Sequence, residues 1–204
     1  IHGNVEDAEV TGKNDIIVLG GCTGSGNGKI QAGGNIIVKF VENQTLIAGH
    51  DIIIHGDSYH AKLSSGGSIF GKGAKSMIVG GTCEAKLSVE TARLGSVANT
   101  PTIIKVGIDP KIATRLKQTE DEIASIKESG EKIGKSIGYL KRLKLENNGK
   151  LPPDKTQLLE QLENVKATLP GKIEILEKLK RKLFEEQKEI HNSYVIASNA
   201  VFPK

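Results

Sequence analysis

The chain has 204 residues and is 37% hydrophobic but only 3% aromatic, with 24 Gly and no Trp. An interior built from Ile, Val, Leu and Ala suits stacked strands and helical seams, and argues against a conventional ligand pocket lined by aromatic side chains. The net charge of +4 is too small an excess to indicate a nucleic-acid-binding protein, and no apolar run is long enough to span a membrane.

A short cassette recurs four times in the first third of the chain. Each copy is a turn of Gly and polar residues that leads into a β-branched run. The copies occupy residues 12–18, 33–38, 49–54 and 66–69, and their first isoleucines are Ile16, Ile36, Ile52 and Ile69. Six positions before these isoleucines lie Val10, Ile30, Leu46 and Leu63. Steps of 20, 16 and 17 residues between the isoleucines fit the turn of a β-solenoid, in which neighbouring turns bury one another's side chains.

A glycine-rich segment at residues 20–28 accounts for the longer first step. Because Gly adopts the positive φ angles that tight turns need, this segment is predicted to protrude as a flexible turn. It is not a Walker-type phosphate loop, since Thr23 stands where that motif needs Gly and Ile30 follows the Gly-Lys pair in place of Ser or Thr. Weaker apolar runs broken by Gly follow, so the sequence predicts about five or six coils over residues 1–108.

At Asp109 the pattern changes to a helical heptad. Asp109 is a good N-cap, Pro110 suits the first helical position, and apolar residues then recur at 4-3 spacing with Thr119 and Gly130 as misfits. The predicted seam of this helix is Ile112, Leu116, Ile123, Ile126, Ile133, Ile137 and Leu140. The helix is predicted to end at residues 147–149, where Asn-Asn-Gly is a C-cap signal.

A second helix is predicted to begin at Asp154, again as N-cap, and to contain Pro170, which is expected to kink or break it. Its predicted seam is Leu158, Leu162, Val165, Leu169, Leu176, Leu179, Leu183 and Ile190, with Lys172 and Glu186 as misfits and Ile173 beside the first of them. Two helices of similar length joined by a short turn fold back as an antiparallel coiled-coil hairpin. This hairpin is predicted to occupy residues 109–192.

Facing residues in such a hairpin have numbers that sum to about 299. This register places the acidic block 120–122 beside Lys178, Lys180, Arg181 and Lys182, and Gly130 opposite residues 169–171. After the hairpin the β pattern returns, so residues 193–204 are predicted to rejoin the solenoid at the point where the chain left it. The predicted fold is therefore mainly β plus α, a β-helix with an inserted coiled-coil hairpin.

A glycine-rich solenoid interrupted by a long antiparallel coiled coil resembles the central region of the flagellar assembly protein A family. The likeness is carried by residues 29–36, 78–85, 94–96, 102–107 and 201–203. The resemblance implies a right-handed β-helix in a bacterial cytoplasmic protein that works in flagellar or polar assembly through protein contacts. It carries over no catalytic residue. Full-length members have further N-terminal sequence, and the chain, which begins at Ile1, is expected to be a segment of a longer protein.

Cysteines and histidines give no indication of a metal or cofactor site. Cys22 and Cys83 belong to no CxxC pair, which argues against a zinc site or a disulfide framework and agrees with a reduced cytoplasmic setting. His50, His55 and His60 recur every five residues, a spacing that alternates faces on a strand, so they are not expected to converge on one ion. No metal and no cofactor is predicted.

Basic residues gather at the predicted tip of the hairpin. Lys141, Arg142 and Lys144 are the candidate partner-binding residues, and their targets could be an acidic protein, nucleic acid or anionic lipid. The alternative is a solvated charged face, since no aromatic residues interleave for base stacking. Arg142 with Glu146 is the only i,i+4 ion pair that the run offers.

The sequence thus predicts a non-enzymatic scaffold that binds unidentified protein partners. A second possibility is a polymer-forming β-helix that associates through exposed terminal coils. A third is an enzyme acting on a nucleotide or a saccharide, which would need two carboxylates across a groove or another site that the sequence does not present.

Overall fold

The computed structural model describes residues 1–190 and 192–202. The chain forms two compact units, one of Ile1–Ala113 with Glu186–Lys204 and the other of Thr114–Glu185. The first unit is a β-solenoid of about five turns. The second is a hairpin of two long helices, α1 (Pro110–Glu146) and α2 (Pro153–Lys188). The first residues of α1 and the last residues of α2 belong to the first unit.

Fifteen parallel strands build the solenoid in the described residues. They are β1 (Val5–Glu6), β2 (Glu9–Gly12), β3 (Ile16–Val18), β4 (Cys22–Thr23), β5 (Lys29–Ala32), β6 (Ile36–Val38), β7 (Val41–Glu42), β8 (Thr45–Ala48), β9 (Ile52–Ile54), β10 (Ser58–Ser65), β11 (Ile69–Gly71), β12 (Met77–Ala85), β13 (Ser88–Leu94), β14 (Thr102–Val106) and β15 (Tyr194–Val201). Each turn contributes to three ladders. One contains β3, β6, β9, β11, β13 and β15, another starts β1, β4, β7, and the third starts β2, β5, β8; β10 and β12 bend through the last two.

The cassette repeat is the stacking register of this solenoid. Ile36 pairs with Ile16 on one side and with Ile52 on the other, and Ile52 then pairs with Ile69. The apolar residues six positions earlier form a second column, Val10, Ile30, Leu46 and Leu63, which Cys83 and Ile104 continue. The middle members of both columns are buried, which confirms the predicted β-solenoid.

A polar ladder runs along the corner just before the isoleucines. Oδ1 of Asp15 accepts a hydrogen bond of 2.7 Å from the backbone N–H of Asn35, and Oδ1 of Asn35 accepts one of 3.0 Å from Asp51 N–H. Oδ1 of Asp51 then accepts one of 2.7 Å from Ser68 N–H. Each of these side chains satisfies a backbone donor of the next turn that the strands leave unpaired, which explains the polar residue of the first three cassettes.

The cassette glycines allow the turns to approach one another. A Cβ added to Gly33 would lie 2.0 Å from the carbonyl oxygen of Lys13, and one on Gly49 would lie 2.1 Å from that of Gly33. On Gly66 it would lie 2.2 Å from the carbonyl oxygen of Gly49. A side chain at any of these corners would push two hydrogen-bonded turns apart.

The segment at residues 20–28 protrudes less than predicted. Its first part enters β4, where Gly21 lies beneath the Phe40 ring so closely that an added Cβ would be 2.2 Å from it. The exposed part is limited to Ser25, Gly26 and Asn27. The carboxylate of Asp7 accepts hydrogen bonds from the backbone and hydroxyl of Ser25. The turn is therefore tied to the preceding coil, contrary to the predicted flexible turn.

The chain re-enters the solenoid at the corner that earlier turns fill with a cassette glycine. β14 ends at Val106 before the hairpin, and β15 follows the hairpin and pairs in parallel with β13. Oε1 of Gln187 accepts from Asp109 N–H at 3.2 Å, and Nε2 of Gln187 donates to the Gly107 carbonyl at 2.5 Å. These two bonds join the entry and exit of the insertion, and the strands before and after it belong to the same sheet.

Candidate functional site

The hairpin is the part of the chain that presents the predicted partner-binding residues, and its first helix starts as the sequence indicates. Asp109 accepts a hydrogen bond of 2.9 Å from Lys111 N–H and forms an ion pair of 3.0 Å with Lys86. Burial of the carboxyl opposes ionisation, but the Lys86 ammonium and the Lys111 N–H hold the pKa of Asp109 below its usual value. Asp109 thus caps α1 as predicted.

Thr119 and Gly130, the two residues that did not fit the apolar pattern of the first seam, nevertheless occupy seam positions. Thr119 is 5% exposed, and its hydroxyl donates to the Arg115 carbonyl at 2.8 Å, so its polar group is satisfied. Gly130 faces Leu169, whose Cδ1 would be 3.1 Å from an added Cβ. The 4-3 spacing therefore continues unbroken through α1.

The frame of the second seam differs from the prediction. Leu158 and Val165 are 45% and 46% exposed, whereas Leu159 is only 7% exposed and Ile173 is half-buried. At two positions the more buried residue therefore lies one later than predicted, Leu159 in place of Leu158 and Ile173 in place of the misfit Lys172. Helix α2 also begins at Pro153, so Asp154 lies inside the first turn and is not the N-cap.

Contacts between the helices confirm the register. Lys180 forms an ion pair of 2.8 Å with Glu120, as the acidic and basic blocks predict. Nearer the tip, Ile137 packs in one buried cluster with Leu159 and Leu162. Pro170 neither breaks nor ends α2, which continues through it to Lys188.

The three predicted partner-binding residues are not equivalent. Nζ of Lys141 forms an ion pair of 2.6 Å with Glu163 across the hairpin, so its charge is already neutralised. Arg142 and Lys144 are exposed, and neither has an ion-pair partner in the part of the chain that the structure describes, Glu146 included. Of the three, Lys141 alone has an ion-pair partner among the described residues.

A groove at the same end of the hairpin was not anticipated from the sequence. It has a volume of about 480 Å³ and is lined by Lys135, Ser136, Tyr139, Leu140, Lys155 and Leu158. The signal that could have revealed it is the Leu158-Leu159 pair. Only one of two adjacent leucines can face the seam, so the other must lie on the surface.

The histidines lie at three different corners of the solenoid, as their spacing suggests. His50 is between β8 and β9, His55 is between β9 and β10, and His60 is at the bend inside β10. His60 has φ of 50°, a left-handed conformation that His tolerates better than most residues. Within residues 1–190 and 192–202, no three His, Cys, Asp or Glu side chains group as a metal site would require.

Both cysteines are buried in the solenoid. Burial raises the pKa of Cys22 to about 11 and that of Cys83 to about 12, because the interior disfavours a thiolate. Cys83 occupies the inner column below Leu63 and acts there as a small apolar residue. Neither thiol is activated as a nucleophile.

Neither α1 nor α2, the helices of the described residues, carries an apolar stretch that could cross a bilayer.

Comparison with known proteins connects the whole of this architecture to one family. The family model described as "Flagellar Assembly Protein A beta solenoid domain" matches residues 1–204. No curated protein matches the chain, and no solved structure matches it. The matched range includes the solenoid and the helical hairpin together.

Proposed function

The chain belongs to the Flagellar Assembly Protein A β-solenoid domain family, and from this premise we propose that it is a non-enzymatic cytoplasmic scaffold in bacterial flagellar or polar assembly. It acts through protein contacts. The solenoid serves as the support, and the distal half of the hairpin recruits the partner. No catalytic residue, metal or cofactor forms part of the proposal.

One observation carries it: two of the three candidate cations at the tip of the hairpin have no ion-pair partner among the described residues. Lys127, Lys132, Lys141, Lys178 and Lys180 all form ion pairs within the hairpin. Arg142 and Lys144 form none with the residues that the structure describes. The tip is distinguished by the number of such cations in a short span, since Lys150 and Lys155 likewise form no ion pair among the described residues. A local excess of positive charge that contributes little to folding favours an acidic partner.

Affinity capture from a bacterial lysate tests this proposal. We expect Arg142→Gln with Lys144→Gln to reduce capture of a protein that binds the hairpin at least about tenfold. Each lost charge contact contributes on the order of 1 kcal/mol or more to binding. Arg115 and Lys117 provide a matched control, because Arg-Leu-Lys occurs at both places in the same helix. Arg115→Gln with Lys117→Gln should leave capture unchanged. Equal losses in both variants, or capture that survives deletion of the hairpin, would reject the tip as the binding site.

End-to-end assembly of the solenoid is a second candidate function. Its supporting observation is β15, which pairs with β13 but with no further strand among the described residues. Its side chains Val195 and Ile196 are 42% and 46% exposed. An open apolar strand edge is a template for another chain.

Sedimentation velocity distinguishes assembly from a monomeric scaffold. If the edge assembles, the mass should rise with protein concentration, and Val195→Lys should hold the chain at monomer mass because a buried ammonium between paired edges is costly. Ile175→Lys, at an apolar residue of the hairpin that is 67% exposed, is the control and should assemble normally. A constant monomer mass over the whole concentration range would exclude this function.

A further inference from the structure

The groove near the hairpin tip has an apolar floor and apolar walls. Leu140 forms the floor, is 4% exposed and packs in the buried cluster with Ile137 and Leu159. Tyr139 of α1 and Leu158 of α2 form the walls and are 61% and 45% exposed. Neither wall residue contributes to the seam, so the hairpin does not need large apolar side chains at these positions to hold its helices together.

The apolar surface continues along α2. Val165 follows Leu158 by seven residues, which is two helical turns, and therefore lies on the same face about 10 Å away. It is 46% exposed. Leu158 and Val165 together offer contacts at the spacing at which a docked helix presents its i and i+7 side chains.

The charges around the groove have one sign. Lys135 and Lys155 line it, and no ion pair occupies either ammonium within the described residues. No Asp or Glu is among the lining residues. The other edge of the helix pair, in contrast, is neutralised by the Lys141–Glu163 and Lys127–Glu177 pairs. The groove is thus a basic channel with apolar walls.

We propose that this groove is the docking site for an amphipathic helix of a partner protein, with acidic residues flanking its apolar stripe. This inference rests on the proposed scaffold function and specifies its partner. The partner's Leu or Phe side chains cover Tyr139 and Leu158, and its carboxylates pair with Lys135 and Lys155. A helix fits better than an added strand, because the backbone groups of both groove walls are already hydrogen-bonded within α1 and α2.

Fluorescence anisotropy on the full chain tests the groove with a defined probe. The probe is a labelled amphipathic peptide of about 18 residues, or five helical turns, with Leu on one face and Glu on its flanks. A second peptide carries Lys in place of every Glu. We expect saturable binding of the Glu peptide and at least about tenfold weaker binding of the Lys peptide, because only the first complements the channel.

Variants locate the binding. Lys135→Glu with Lys155→Glu, and separately Tyr139→Ala with Leu158→Ala, should each weaken binding of the Glu peptide at least about tenfold. Arg115→Glu with Lys117→Glu is the matched charge control, and Ile175→Ala is the matched apolar control; both should bind normally. Equal affinity for the two peptides, or unchanged affinity in the groove variants, would refute the docking site.

Three further outcomes separate this inference from its alternatives. Cosedimentation with phosphatidylglycerol vesicles that the groove substitutions abolish, without binding of the Glu peptide, would assign the surface to a membrane and refute the helix. Capture of a lysate protein that needs the hairpin but is unaffected by the groove variants would refute the groove and leave the scaffold function standing. If the unmodified chain captured no lysate protein through its hairpin, the groove and the scaffold function would both be rejected.

Discussion

Replacing Ile52 by Ala is expected to lower the free energy of unfolding of the solenoid by about 2–5 kcal/mol, the cost of emptying a fully buried aliphatic site. Ile52 is 0% exposed and stacks between Ile36 and Ile69 in adjacent turns. Backbone hydrogen bonds fix those turns about 4.8 Å apart, so they cannot close the cavity. Denaturant-dependent hydrogen exchange read by mass spectrometry would measure the loss in solenoid peptides separately from hairpin peptides.

Ile17→Ala is the control for this prediction. Ile17 is in the same type of cassette strand but points outward and is 48% exposed. We expect a change within about 0.5 kcal/mol. If the two substitutions had equal effects, Ile52 could not lie in the inner column.

The second large effect is expected from Gly49→Ala. The added methyl group would lie 2.1 Å from the carbonyl oxygen of Gly33, which belongs to the backbone of the preceding turn and cannot rotate away. Overpacking of this kind costs about 1–3 kcal/mol, and here it also lengthens the hydrogen bond of 2.9 Å from Gly49 N–H to the Ala32 carbonyl. Thermal unfolding should show a midpoint lowered by several degrees, about 2–8 °C per kcal/mol.

Gly3→Ala separates this clash from a general effect of losing glycine. An added Cβ on Gly3 meets nothing within 4 Å, so its midpoint should stay the same or rise slightly as the unfolded chain loses freedom. A drop as large as that of Gly49→Ala would mean that close approach between turns is not what the cassette glycines provide.

The parts of the fold that repeat could be predicted from the sequence, because a repeat multiplies a weak local signal. The isoleucine columns, the corner glycines and the polar residue before Ile36 or Ile52 all follow from stacking equivalent residues. The packing of Gly21 under Phe40 could not be predicted, since it joins residues of successive turns and occurs once. Asp7 and Ser25 form a similar single contact across turns.

In the hairpin, too, the repeating features could be predicted from the sequence and the single contacts could not. Heptad spacing predicted the first seam and the register, but Leu158 and Leu159 are equally apolar, and only the packed partner helix decides which one is buried. The candidate partner-binding residues show the same limit of sequence pattern. Lys141 and its neighbours form one basic run in the sequence, and the pairing of Lys141 with Glu163 depends on a helix that is distant along the chain.

Because the hairpin is inserted between two strands, its length can change independently of the solenoid. Gln187 holds both ends of the insertion through Gly107 and Asp109, whatever length of helix lies between them. Gain or loss of one heptad in each helix would change the length of the hairpin by about 10 Å and keep the seam in phase. No ladder of the solenoid would be altered. A change in helix length alone can therefore match a partner of different size, with every strand pairing of the solenoid kept.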